Sequence, residues 1–125
     1  MKRWLILLPL ILSMAEPPRD NRLRIELEDR EGLKHSLRGL SCNGRGYLRV
    51  REGGLEYAIN FSVLRSLEVI SQDGQQLKVR LSLKDGTSKE YYLPANTYCK
   101  GGSQVGEAGF YLKDIKNIFI RMEEK

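Results

Sequence analysis

The chain has 125 residues, 41% of them hydrophobic, and 21 lysines and arginines against 16 aspartates and glutamates, for a formal charge of +5. That length supports one hydrophobic core and not two. The charge falls to +3 if an N-terminal segment carrying Lys2 and Arg3 is removed, which is too weak for a dedicated nucleic-acid binder and excludes nucleic acid as an expected partner.

The first element is an export signal. Lys2 and Arg3 precede an apolar run from Trp4 to Leu12, and Ser13, Met14 and Ala15 lead into Glu16, Pro17 and Pro18. Small side chains at Ser13 and Ala15 suit the shallow pockets of a signal peptidase, so cleavage is expected after Ala15. An apolar run of this length falls short of the roughly 20 residues that span a bilayer as a helix. The first cysteine is Cys42, too distant for a lipoprotein anchor, and no later segment is apolar enough to span as a helix. The reading is a signal peptide over 1–15, a polar leader over 16–22, a single β domain over 23–122 and a C-terminal tail over 123–125. The mature chain is expected to be soluble and exported, periplasmic or extracellular, with no transmembrane span after cleavage.

From Leu23 onward the apolar period is two. Leu23, Ile25 and Leu27 alternate with Arg24, Glu26 and Glu28; Leu48 and Val50 alternate with Arg49 and Arg51; Leu77, Val79, Leu81 and Leu83 alternate with Lys78, Arg80 and Ser82. Such segments are strands with one face in the core and one in water. Glu31-Gly32, Gly53-Gly54, Asp73-Gly74 and Asp85-Gly86 separate them as hairpin turns, where glycine supplies positive φ. The longest helical candidate, Phe61 to Leu67, makes one or two turns. The expected fold class is all-β, a small antiparallel barrel or two-sheet sandwich of about seven to nine strands.

An internal echo at a constant offset of 51 superposes Ala58–Val69 on Gly109–Ile120. It pairs Ile59 with Phe110, Phe61 with Leu112, Leu64 with Ile115, Arg65 with Lys116, Leu67 with Ile118 and Val69 with Ile120. Each copy reads as a strand, a tight or 3₁₀ turn that buries Leu64 or Ile115, and a second strand. Two related halves of about 50 residues are expected, each a small meander ending in this unit. Cys42-Asn43-Gly44 and Cys99-Lys100-Gly101 also match, but at an offset of 57, which implies loops of different length in the halves. The units Leu64-Arg65-Ser66-Leu67 and Ile115-Lys116-Asn117-Ile118, with the hairpin glycines and the signal, resemble small exported all-β domains of bacteria, mostly without assigned function. The short turn is also similar to that of SH3-like barrels such as the PRC-barrel and Sm-like domains, although Sm signatures are not evident. The resemblance implies the fold and carries over no functional residue.

Cys42 and Cys99 are the two cysteines, and an even count in an exported chain implies a disulfide. A redox pair or a zinc site fits less well, because there is no Cys-x-x-Cys and one histidine.

Catalytic constellations are absent from the pattern. His35 is adjacent to Ser36, and neighbours on a strand point to opposite faces. Glu26, Glu28, Asp29 and Glu31 are interleaved with Arg22, Arg24 and Arg30, as in a solvated, ion-paired hairpin. The glycine-rich run from Gly101 to Gly109 lacks the residues of a phosphate-binding loop and reads as a mobile loop. No enzyme activity, cofactor or metal is expected. Arg22 and Arg24, then Tyr47, Arg49 and Arg51, then Lys78, Arg80 and Lys84 can gather into a basic face if their strands share a sheet. The anion-binding candidates are Tyr47, Arg49, Arg51, Lys78 and Arg80, because arginine grips phosphate or carboxylate through two parallel hydrogen bonds and tyrosine offers a stacking surface. Tyr91, Tyr92 and Tyr98 are a second candidate contact patch. The expected function is a non-enzymatic binding or structural module of the bacterial envelope, with another envelope protein as partner. The alternative is a binder of an anionic polymer or lipid through the basic face. The sequence leaves the oligomeric state open.

Overall fold

The computed structural model describes residues 22–123; the expected signal, nearly all of the leader and the end of the tail lie outside them. Ten strands run in chain order: β1 (Leu23–Asp29), β2 (Lys34–Cys42), β3 (Tyr47–Glu52), β4 (Leu55–Asn60), β5 (Leu64–Asp73), β6 (Gln76–Leu83), β7 (Ser88–Pro94), β8 (Tyr98–Ser103), β9 (Gly106–Tyr111) and β10 (Ile115–Met122). Short 3₁₀ turns, Phe61–Val63 and Leu112–Asp114, join β4 to β5 and β9 to β10. All ten strands form one antiparallel sheet in the order β4-β3-β7-β6-β5-β10-β1-β2-β8-β9, curled into a half-barrel. The all-β expectation holds, and the curled single sheet takes the place of a two-sheet sandwich.

The strand count exceeds the expected seven to nine because the two edge strands carry no buried stripe to read. β4 and β9 are exposed at nearly every position. The glycine-rich run is likewise not a loop: it forms much of the β8–β9 hairpin. Its glycines serve close packing. A Cβ at Gly101 would stand 2.8 Å from the Gly39 carbonyl oxygen, and the Tyr98 ring covers Gly109.

The core lies on the concave face, where the period-two apolar residues of β1, β3 and β6 converge as expected. Leu64 and Ile115, which follow the 3₁₀ turns, are buried, and so are Phe61 and Leu112 within them. Each turn reaches across to the other half, the first against β10 and the second against β5.

The internal echo is an internal two-fold. β3 and β8, β4 and β9, the two 3₁₀ turns, and the starts of β5 and β10 all stand at an offset of 51. At the centre of the sheet β5 pairs with β10, and Leu67 faces Ile118, its own counterpart in the repeat; Ser66 faces Phe119 and Glu68 faces Asn117. The axis therefore passes through the Leu67–Ile118 pair. The sheet is β5-β6-β7-β3-β4 on one side of it and β10-β1-β2-β8-β9 on the other.

The halves of the sheet are not the two successive meanders expected. The β1–β2 hairpin of the first repeat completes the side made by β8, β9 and β10, and the β6–β7 hairpin of the second completes the side made by β3, β4 and β5. Two short links, β2 to β3 and β7 to β8, cross where Asn43 N donates to the Tyr98 carbonyl (2.7 Å) and Tyr98 N donates to Asn43 Oδ1 (3.2 Å). Asn43 and Gly44 both have positive φ in a tight turn closed by paired hydrogen bonds between Cys42 and Arg45. That backbone suits Asn-Gly.

Cys42 and Cys99 form a disulfide beside this crossing, as cross-strand partners on β2 and β8. They are not repeat equivalents: Cys42 ends β2, whereas Cys99 matches Leu48 of β3 at the common offset. Their offset of 57 thus reflects different strands, not loops of different length. In the chain-entropy view, closing a loop of that size stabilises the fold by about 4 kcal/mol. Thiol titration of the unreduced, denatured mature protein should find no free thiol, and denaturant unfolding should show the Cys42→Ser, Cys99→Ser double variant less stable by up to about 4 kcal/mol. Two free thiols would remove the cross-link.

Candidate functional site: a cleft at the open seam

In each half, the exchanged hairpin meets strands of the other repeat on both sides, and its outer seam is β2 with β8 and, equivalently, β7 with β3. The β2–β8 seam has three register pairs and the disulfide. The β3–β7 seam has one, Arg51 opposite Tyr92. Between β3 and β7 the sheet parts into a cleft of about 290 Å³. Leu48, Val50 and Leu93 line its apolar depth, and Arg45, Tyr47, Arg49, Arg51, Glu56 and Tyr92 surround its mouth.

Alternation fixes this mouth. Tyr47, Arg49 and Arg51 point outward because Leu48 and Val50 are buried, and Tyr92 points outward because Leu93 is buried. Arg45, from the tight turn after Cys42, donates to the Tyr47 hydroxyl (2.7 Å) and lies over its ring. Lys78 of β6 stands opposite Tyr92, with its ammonium 6.0 Å from the ring centroid, so Arg51, Tyr92 and Lys78 form one row across three strands.

The structure thus brings Tyr47, Arg49 and Arg51 to the cleft and places Lys78 and Arg80 on the same outer face, two strands away. Carboxylates accompany most of these cations. Arg49 lies 3.8 Å from Glu56, Lys78 3.5 Å from Glu90, and Arg80 3.1 Å from Glu68 and 3.0 Å from Glu90. Exposed pairs of this kind contribute about 0–1 kcal/mol and are readily exchanged for another anion. Arg51 makes no ion pair among the described residues. Sequence reasoning missed Arg45 and grouped Tyr92 with Tyr91 and Tyr98 instead of with the arginines. Tyr92 was legible as the outward neighbour of Leu93, whereas Arg45 depends on the turn that aims it.

Three other groupings change. Arg24 sits across the axis in β1 and does not join the Arg49 face. Tyr91, Tyr92 and Tyr98 do not make one patch: Tyr91 packs edge-on with Tyr57, Tyr92 faces the cleft, and Tyr98 packs with Tyr111 in the other half. His35 and Ser36 lie on opposite sides of β2, with Ser36 opposite Glu26 and His35 opposite Leu27. Instead His35 Nε2 meets Asp29 Oδ2 at 3.0 Å, while Asp29 Oδ1 accepts from Glu31 N and Leu33 N. Among the described residues no three His, Cys, Asp or Glu side chains come together as metal ligands, and no helix is long and apolar enough to cross a membrane.

These features define a class: a duplicated all-β protein with one curled sheet, a stapled seam and an open seam rimmed by arginine and tyrosine. Residues 19–123 match a family described as "Uncharacterised protein", and the chain belongs to that family. A relative from Aquifex aeolicus (strain VF5), described as "Uncharacterized protein", is 40% identical over 126 residues, covering 97% of this chain and 96% of its own.

Asp29 provides a test of the β1–β2 turn. Hydrogen bonds from His35 and then from Leu33 N hold its carboxyl below the usual aspartate value of 3.8. A carboxyl with a lowered folded pKa contributes stability that is complete above its unfolded value and lost as pH falls through the folded one. Thermal melts should therefore show Asp29→Asn less stable than wild type near neutral pH, with the gap closing below the aspartate value of 3.8. A gap independent of pH would show that the charge on Asp29 contributes nothing.

Proposed function

We propose that the mature protein is an exported, non-enzymatic binding module of the bacterial envelope, and that the β3–β7 cleft takes an anionic group of a partner polymer. The observation that carries this reading is the opening of a single seam between an apolar floor and a mouth of three arginines and two tyrosines, with Glu56 as its one carboxylate among the described residues. Guanidinium groups pair with carboxylate or phosphate bidentately, and pockets with an apolar body and a few convergent polar groups are the usual form of a binding site. The ion pairs of Arg49, Lys78 and Arg80 with glutamates are consistent with it, since those carboxylates occupy positions that a ligand anion takes.

Export is supported by the signal pattern, by the disulfide, which belongs to an oxidising compartment, and by a family match that begins at residue 19, just past the expected cleavage site. The order of strands within each half of the sheet, with a 3₁₀ turn before its fifth strand, supports the resemblance to SH3-like barrels. A second reading, contact with another envelope protein, is favoured by the edge strand β4, where Leu55 and Tyr57 are exposed.

Retention of the mature protein on immobilised polyphosphate and on poly-glutamate, eluted with salt, checks the cleft. Arg49→Glu with Arg51→Glu should abolish retention on poly-glutamate and lower the salt that elutes the protein from polyphosphate, and Arg80→Glu, outside the cleft, should lower the eluting salt only slightly. Equal retention of the cleft variant would sink the proposal. The N-terminus of the exported protein, read by intact mass, should be Glu16; a retained segment before it would contradict cleavage.

A further inference from the structure

Across the two-fold axis lies a row of charge that the β3–β7 cleft does not use. Arg24 of β1 stands directly opposite Arg121 of β10 on one side and Arg38 of β2 on the other. The three Cα positions on adjacent strands fall within two strand spacings, about 10 Å. Like charges directly opposite one another destabilise a sheet. Arg24, in the middle, is only 20% exposed. Desolvation, and then the charges of Arg38 and Arg121, hold its pKa below the usual arginine range.

Carboxylates flank the row. Arg24 meets the carboxylate of Glu123, at the end of the described chain, and Glu26 faces outward one step along β1. Arg38 and Arg121 make no ion pair among the described residues. Beyond Arg38 the row passes through Gly102 of β8 to Glu107 of β9. The missing side chain at Gly102 leaves an open groove of about 490 Å³, to which Ser36, Ser103 and Gln104 bring hydrogen-bonding groups. Gly102 is the repeat counterpart of Arg51, so this row occupies the place in its half that Lys78, Tyr92 and Arg51 occupy in the other.

We infer that the Arg121–Arg24–Arg38 row is a second site, which binds a phosphate-bearing group. Phosphate has the charge to offset the mutual repulsion of the row and oxygens enough for two guanidinium forks. Ser36 and Gln104 lie within the same groove to serve its remaining oxygens. A pyrophosphate or a phosphodiester suits a row of this length better than a single carboxylate, which engages one fork. The phosphate belongs either to a soluble ester or to a lipid headgroup, and the chemistry at the row is the same. The site is independent of the β3–β7 cleft, with which it shares no residue.

Calorimetric titration and thermal melting of the mature protein with pyrophosphate, at ionic strength held constant with chloride, test the inference. Wild type should melt higher with pyrophosphate. Arg38→Gln and Arg121→Gln should each bind it at least about tenfold more weakly, as expected for loss of one charge-assisted contact. Without ligand both variants should melt at or above the wild-type temperature, because repulsion is relieved. A merely structural role for these arginines predicts the opposite. The variant carrying Arg49→Glu and Arg51→Glu, which disables the cleft, should keep the part of the pyrophosphate shift that Arg38→Gln and Arg121→Gln remove, which separates failure here from failure of the cleft. Co-sedimentation with phosphatidylglycerol vesicles, and not with phosphatidylcholine vesicles, lost in Arg38→Gln, assigns the phosphate to lipid. A pyrophosphate response without vesicle binding assigns it to a soluble ester. Wild type indifferent to both probes, or responses unchanged in Arg38→Gln and Arg121→Gln, would overturn the site.

Discussion

The crossing of the two inter-repeat links is the constraint on which the rest of the sheet depends. The links after β2 and β7 are short, and each carries the chain from one side of the two-fold axis to the other. A duplicated chain has two ways to satisfy its hairpins: each can join its own repeat or exchange with its twin, and the lateral contacts are similar in kind. Cys42 belongs to the first repeat and Cys99 to the second, and they are cross-strand neighbours only in the exchanged arrangement. The cross-link therefore selects between topologies as well as adding stability. The Asn43–Tyr98 hydrogen bonds and the Asn43-Gly44 turn fix the same crossing without covalent help.

From that crossing follows the asymmetry between two seams that the duplication made alike. At the β2–β8 seam Gly101 lets the strands close until a Cβ would strike the Gly39 carbonyl, and Gly39 itself takes positive φ at a bulge. At the β3–β7 seam the counterpart of Gly101 is Val50, whose side chain is buried, and the counterpart of Cys99 is Leu48. Two bulky side chains in place of a glycine and a half-cystine keep the strands apart, and one register pair remains. One seam became a staple and the other a cleft through a handful of side chains on β3 and β8.

Much of this was legible in the sequence because period-two burial is a local signal. β1, β3 and β6 announce themselves through Ile25, Val50 and Val79, and Gly32, Gly53, Gly74 and Gly86 all take the positive φ expected of hairpin turns. The echo exposed the repeat because Phe61 and Leu112 must both fill the centre of one core. What the sequence hid was lateral order. β4 and β9 bury too little to carry a pattern, and the exchange of hairpins depends on contacts between residues more than 50 positions apart. The outer face was harder still. Its residue types were readable, but whether Arg24 faces Lys78 or Arg121 is decided by strand order alone, and Arg38 and Arg121 acquire meaning only as its neighbours.

The same logic explains why function is to be sought on the outer face and not in the interior. The core leaves only about 10 Å³ of space around Phe61 and Leu112, at the lower limit for one water, so the centre of the concave face is committed to packing. The edges are short: β4 and β9 have six residues each, and each ends in a 3₁₀ turn that dives into the core. Short edges that end so abruptly limit strand-to-strand association. The outer face, by contrast, holds its charges by exposed ion pairs of small individual worth. Their rearrangement costs the fold little, so Glu56 and Glu90 can change partners above a sheet whose packing does not depend on them.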